Sequence, residues 1–473
     1  MPDVRYVCLS DTHFGADNSL LTNLQSGTPD ADPLRPSPVL QAFVACLSDV
    51  ISKNENAAPP TLILNGDILE LALTTDDHAA MAFERFMELV VPKGGKPLFA
   101  SEVIYIPGNH DHHLWETARE TQYANFINKN PDLQHLPAPW HTTNIFSGDP
   151  VPAIFLNTLI QRHDAMTDVS VRTVYPNFGL KDDRGKVVVF SHGHYIESMY
   201  MLMTRLRSMI FPDRKPPAAV WDLEAENFAW IDFFWSTLGR SGGVGTDVEL
   251  IYNMMADPRK LKIVIDNLAA GIVRQLGKQG VGGRIDTFFL GGFLDLTLGR
   301  VAENERHDGS ALLSPDATTG LKNYIEGVLL TQLDEELNHN RPTEWSFVFG
   351  HTHKPFEDVG EFAGYPTATS LYNSGGWVVD TPLVEPLHGA SAVLVDENLN
   401  VAALRFYNQE ANPANYAVRV SEAPRPDGTH TALYERLHGI INPNRDPWKS
   451  FSDVVSREIP PRLRNIQAMS VTP

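Results

Sequence analysis

The sequence is poor in cysteine: Cys8 and Cys46 are the two in 473 residues. One lies in an apolar run and the other in a helix-like stretch, so both read as buried free thiols rather than a disulfide framework. No run of 18 apolar residues occurs, and no membrane span is expected. No basic segment followed by an apolar one opens the chain, so no secretory signal is expected. A strand-like run over residues 4–9 leads directly into Asp11. A cytoplasmic protein is the default expectation. Basic residues are also in deficit, with 38 Lys and Arg against 58 Asp and Glu, a formal charge of −20. Such a surface repels phosphate backbones, and general nucleic-acid binding is not expected. A small phosphorylated ligand stays open, because bound cations reverse the field locally.

A recurrent pattern is present instead. A short apolar run stops, and a cluster of Asp, Asn or His follows at once. Residues 4–9 precede Ser10-Asp11-Thr12-His13. Residues 61–64 precede Asn65-Gly66-Asp67. Residues 103–106 precede Pro107-Gly108-Asn109-His110-Asp111. Residues 187–190 precede Ser191-His192-Gly193-His194, and residues 346–349 precede Gly350-His351-Thr352-His353. Continuous short apolar runs read as fully buried strands. Ligands of layered α/β folds gather at the strands' carboxyl ends, so five polar clusters can converge. Helical stretches at about 39–53 and 78–90 separate the early strands, giving an α/β alternation.

From 196 to 341 the rhythm changes to a large helical insertion, or cap, with apolar-periodic stretches near 196–211, 218–238, 246–276 and 320–338. Glycine- or proline-rich loops at 211–217, 239–245 and 277–283 divide them. Strand-like pieces return at 369–373, 377–380, 390–395 and 401–407, the last two joined as a hairpin around 396–400. A polar tail follows from about 421, with a helix near 447–458. The expected division is a core over 1–195 and 342–420, a cap over 196–341, and a tail over 421–473 that packs on the core or is partly mobile.

Asp carboxylates, an Asn amide oxygen and neutral His rings form a hard-to-borderline ligand set suited to Mn, Fe, Zn or Mg. The candidates are Asp11, His13, Asp67, Asn109, His192, His351 and His353. Seven ligands are too many for one tetrahedral ion and suit two ions roughly 3.5–4 Å apart. Asp67 is the natural bridge, binding a different ion through each carboxylate oxygen.

In order, D-T-H, G-D, G-N-H-D, H-G-H and G-H-T-H resemble the signature of the calcineurin-like metallophosphoesterase superfamily. The resemblance implies an αββα sandwich holding two divalent ions, with manganese favoured. It implies that Asp11, His13 and His353 bind the first ion, that Asn109, His192 and His351 bind the second, and that Asp67 bridges. His110 resembles the histidine that faces the leaving group, and Asp111 is expected to orient it. The implied reaction is hydrolysis of a phosphoester or pyrophosphate in a small, lipid- or nucleotide-like substrate, with hydroxide generated between two cations as the nucleophile. A phosphoprotein phosphatase and a non-catalytic scaffold on the same fold are the alternatives. Two details, G-D-x-x-E at Gly66 to Glu70 and N-S-G-G-W-V from Asn373, resemble the UDP-2,3-diacylglucosamine pyrophosphatase branch. The chain departs from that branch in its length, in His110 where arginine is frequent, and in His194 where aspartate is common.

Glu70 is expected near the metals or as a surface carboxylate, and the Asn373–Trp377 stretch as a close-approach loop. His194, Arg205 and Arg207 are candidate substrate contacts. His112, His113 and His163 are weaker pocket candidates. The methionine-rich stretch 199–211 reads first as a packed cap helix and second as an apolar surface for a lipid or bulky substrate. Trp221, Trp230, Phe233, Phe234 and Trp235 read as cap core first. Oligomeric state leaves no signal in the sequence.

Overall fold

The structure is a computed structural model that describes residues 2–148, 151–237 and 311–471. Its largest sheet has eight strands in the order Arg419–Ser421, Val401–Asn408, Gly389–Asp396, Val4–Leu9, Thr61–Asn65, Glu102–Ile106, Ser170–Thr173 and Val151–Pro152. Its central strands, from Val4–Leu9 to Ser170–Thr173, run parallel. A five-stranded sheet follows the order Phe356–Gly360, Thr369–Asn373, Glu344–Phe349, Lys186–Ser191 and Asn177–Lys181, with its three middle strands parallel.

The sheets pack face to face. Cys8, Ile63, Ile104 and Ile106 of the larger one meet Phe178, Val188, Phe190 and Val348 of the smaller. In the same strands Val7, Leu9, Leu62, Leu64 and Val103 face the other way, against Phe43, Leu47, Phe83 and Phe86 of the helices Pro38–Ile51 and Asp76–Val90. The outer face of the smaller sheet, with Val187, Val189, Trp345 and Phe347, is covered by Tyr195, Met199, Leu223 and Ile325. Helix, sheet, sheet, helix is the resulting layer order. Both faces of the early strands are buried, which is why they read as continuous apolar runs rather than alternating ones.

Local chemistry sets the helix starts. Ser37 accepts from the Leu40 amide at 2.9 Å, and Pro38 occupies the first turn of Pro38–Ile51, where no amide is needed. Asp76 and Asp77 place negative charge at the start of Asp76–Val90. The tail forms the helices Ala432–Ile440 and Trp448–Val471, the second longer than expected despite Pro460 and Pro461. Trp448, Phe451, Val455 and Ile459 join the outer core, and buried Arg462 donates to the carbonyls of Ser19 and Thr22.

The strand expected at 377–380 is absent apart from a single bridge between Val378 and Ser19. The segment bonds instead to an irregular loop, through Leu20 N to Trp377 O and Val379 N to Asn18 O. Helix His112–Lys129, missed in the sequence, buries residues in its first half but none after Arg119, so its apolar period fades. Within the expected cap, Leu202–Ile210, Val220–Ile231, Pro315–Asn323 and Leu330–Glu336 are α-helical. The expected helix at 246–276 and the loops at 239–245 and 277–283 lie outside the described residues. Phe233 and Trp221 are 59% and 40% exposed, so they are not cap core, whereas Trp235 is buried. The methionine-rich stretch divides similarly: Met199, Tyr200 and Leu202 pack inward, and Met203 and Phe211 are exposed.

Candidate metal centre

Parallel register levels the five strand ends. Leu9 pairs with Leu64, Asn65 with Ile106, Phe190 with Val348, and Phe349 with Asn373. The loops that follow turn sharply. Asp11, His13, Asp67, His351 and His353 all have positive φ, between 44° and 70°. That conformation costs non-glycine residues about 1–3 kcal/mol each and persists where surrounding bonds over-determine it. Here Asp11 N bonds Gly66 O, His13 N bonds Asp67 O and Trp377 N bonds Asp11 O, each at 2.9 Å. The motif glycines are required by approach from another motif. A β-carbon at Gly108 would overlap the Asp67 carboxylate, and one at Gly350 would overlap that of Asp11.

The seven side chains come together, each no more than 2% exposed. Ligand atoms of Asp11, His13 and His353 lie within 4.8 Å of one another, as do those of Asp67, His192 and His351. Asn109 Oδ1 is 3.0 Å from His192 Nε2. Asp67 stands between the two groups. Its Oδ1 accepts the His110 amide at 2.8 Å, and its Oδ2 lies 3.4 Å from His192 Nε2 and 3.7 Å from His13 Nε2.

The outward nitrogens of the four rings determine what faces inward. His13 Nδ1 lies 2.8 Å from Glu70 Oε2, His353 Nδ1 contacts Asp380, His351 Nε2 is 2.8 Å from Glu197 Oε1, and His192 Nδ1 is 3.3 Å from the Asn65 carbonyl. The Glu70, Asp380 and Asn65 oxygens accept, so in neutral His13, His353 and His192 rings the outward nitrogen carries the hydrogen and the inward one a lone pair. Yet the inward nitrogens face each other, His13 Nε2 to His353 Nε2 at 3.3 Å and His192 Nε2 to His351 Nδ1 at 3.2 Å. In neutral rings the His13 and His353 lone pairs would repel at that distance, so a proton or a cation between them is favoured. Burial alone would discourage charge on His192, but Asp67 and Asp11 outweigh it and push its pKa up to about 9. Burial likewise opposes ionisation of Asp67, and His192 and His110 hold the carboxyl well below the usual range. This donor set fits divalent ions, with outward carboxylates orienting the ligand rings.

Glu70 holds two rings, since His110 Nδ1 is 2.9 Å from its Oε1. Burial raises Glu70's pKa, but His110 and His13 more than offset that and hold the carboxyl far below the usual range. His110 Nε2 is buried with no partner, as is Asn109 Nδ2. Asp111 does not orient His110, contrary to expectation. Its carboxylate accepts the amides of Gly108 at 2.6 Å and Ile68 at 2.8 Å, holding two motif loops together. The close-approach loop stands beside the centre as expected: Asn373 donates to Gly350 O at 3.1 Å and Thr352 Oγ1 at 2.9 Å.

The family model described as calcineurin-like phosphoesterase matches residues 4–226, taking in four of the five motifs. Residues 4–226 are of the calcineurin-like phosphoesterase family. No curated protein matches it. Among solved structures it is similar to phosphopantetheinyl hydrolase (PptH) from Mycobacterium tuberculosis, at 14% identity and a TM-score of 0.25, over 79% of this chain and 90% of that one.

The remaining candidates fall variously in this phosphoesterase. His194 is buried beside the centre, its ring centroid 5.5 Å from that of His192. Burial, then the neighbouring His192 and His351, push its pKa well down, so it is neutral. Arg205 pairs with Asp316 and Arg207 with Glu226, so each charge is matched by a carboxylate of a neighbouring helix. His163 bonds Glu84 at 2.9 Å, His113 bonds Asp232 at 3.1 Å, and His112 bonds Glu224 at 3.0 Å. Asp380 and Glu197 were missed by sequence reasoning. Asp380 ends the apolar run 377–379 in the same way that each motif follows its strand. Both cysteines are free and buried, and burial pushes both thiols up. Among the described residues no helix is long and apolar enough to cross a membrane.

Proposed function

We propose that this metallophosphoesterase hydrolyses a phosphoester or pyrophosphate bond of a small substrate at a two-ion centre, with manganese the first ion to test. The observation that carries this reading is the two pairs of histidine nitrogens facing each other at 3.2–3.3 Å, with Asp67 Oδ2 beside both. Asp11, His13 and His353 would hold one ion, and Asn109, His192 and His351 the other. Such ions, when bound, lower the pKa of a shared water and neutralise charge on the phosphoryl group. His110 Nε2, with Nδ1 committed to Glu70, is the nitrogen that would return a proton to the leaving oxygen. Asn109 Nδ2, a buried donor without a partner, suits a phosphoryl oxygen.

Seven ligands all but closed to solvent favour a small substrate over a loop of a folded phosphoprotein. The same reading makes residues 1–195 and 342–420 the catalytic body, with 196–341 as a cap. Elemental analysis and assays of a chromogenic monoester and diester on Mn²⁺-loaded protein test it. The expected result is two ions per chain and turnover of one or both esters. Two bound ions with no turnover of either would favour the scaffold alternative.

A further inference from the structure

Beside the proposed centre stands a second buried network outside the five motifs. Its hub is Glu224, fully buried on the helix Val220–Ile231. Glu224 Oε1 is 3.0 Å from His112 Nε2, and Oε2 accepts the hydroxyls of Tyr175, at 3.0 Å, and Tyr195. On its other side the Tyr175 oxygen lies 3.3 Å from His194 Nε2. His194 Nδ1 is buried with no partner.

We propose that Glu224 is a positioning residue of the phosphoesterase, acting through Tyr175 to fix the tautomer and orientation of His194. A tyrosine has one hydroxyl proton. Directed at the Glu224 carboxylate, that proton leaves the Tyr175 oxygen able only to accept, so His194 carries its hydrogen on Nε2. The other nitrogen, Nδ1, is then a fixed hydrogen-bond acceptor at the edge of the centre. An acceptor does not hold a phosphoryl oxygen. It suits a water or a hydroxyl or amide donor of the substrate, which would also account for its missing partner. The helix bearing Glu224 is thereby linked to the centre through two hydrogen bonds.

The kinetic part of this proposal rests on the phosphoesterase reading, but its spectroscopic part does not. In ¹⁵N-histidine-labelled protein, with His194 assigned by His194→Gln, its signals should be those of a ring protonated at Nε2. Tyr175→Phe should abolish that preference and lower kcat about ten- to hundredfold, the usual range for an outer-shell partner, with the metal count unchanged. Glu224→Met should do the same, and the double variant should be no worse than the poorer single. Glu224→Gln keeps an oxygen acceptor and should stay within about threefold of wild type. Wild-type kcat and unchanged His194 signals in Tyr175→Phe, or fully additive losses in the double variant, would overturn the proposal. If Glu224→Met does not fold, Tyr175→Phe and the spectra decide alone. If the wild type binds ions but turns over no ester, the enzymatic reading fails while the His194 spectra still test the positioning.

Discussion

Among the described residues, a buried cluster of histidine and carboxylate at the strand ends and another around Glu224 are built on opposite logic. At the strand ends, His13 faces His353 and His192 faces His351 through ring nitrogens 3.3 and 3.2 Å apart, with Asp67 Oδ2 beside both pairs. In the cluster of His112, Glu116 and Glu224, both carboxylates already receive donors. Glu116 takes two bonds from Arg119 Nε at 2.9 Å and one from Nη2 at 2.6 Å, while Glu224 takes His112 and two tyrosines. Ligand-type atoms lie equally close in both. Proximity therefore does not mark a metal site. A set of facing acceptors does, because something positive must fill it, whereas the Glu116 and Glu224 carboxylates already have their donors.

The comparison breaks most sharply at Asp67, whose Oδ2 lies between the two opposed pairs. Asp67→Asn should lose bound metal and at least about 10³-fold in turnover together, since an amide brings no negative charge to bridge two cations. Metal analysis beside a diester assay checks this, and unchanged turnover would rule out the bridging role. A smaller, more selective loss is expected at His110. His110→Ala should slow esters of poor leaving groups by about 10²-fold or more and activated esters far less, because only the former need a proton. Equal slowing across a leaving-group series would remove the acid role from His110.

The set of facing acceptors also makes a prediction about pH. In metal-free protein a proton on His192 substitutes for the cation, with a pKa near 9 against about 6.5 for a free ring. A raised pKa means that this proton's stabilisation is full below about pH 6.5 and is lost as pH climbs toward 9. The metal-free protein should therefore lose stability across that window. Loading must expel the proton, so apparent metal affinity should rise by up to about tenfold per pH unit until near pH 9. Calorimetric titration with Mn²⁺ at several pH values reads this slope, and a flat profile would contradict protonation of His192.

Why the sequence revealed one cluster and not the other follows from where each sits. The centre hangs on five strand ends, and a strand buried on both faces leaves a plain signature: an apolar run that stops at Asp, Asn or His. That signature was enough for the layers and for the convergence of all seven side chains. It could not show the left-handed backbone of Asp11, His13, Asp67, His351 and His353, because φ is imposed by bonds between motifs distant in the chain. Nor could it separate Glu70, which orients His110, from Asp111, which ties the loops, since both follow motif glycines at similar spacing. Glu224 lies on a helix whose contacts with Tyr175, Tyr195 and His112 leave no periodic trace.

The mildest expected effect is the one that isolates the matched cluster. Glu116→Gln keeps the shape of the side chain but removes the charge that receives Arg119. Both residues are buried, so the guanidinium would keep the Trp140 carbonyl and the face of Phe228 but lose its carboxylate. A loss of about 1–3 kcal/mol in stability is expected, within the range for hydrogen bonds to a charged group. Turnover should stay within twofold and the metal count should remain two, because Glu116 already has a cation in Arg119 and no need of another. Denaturant unfolding and elemental analysis measure the two quantities. A variant that dropped from three bound ions to two would show that acceptors facing at short range are not what selects a metal here, and that the matched cluster binds one as well.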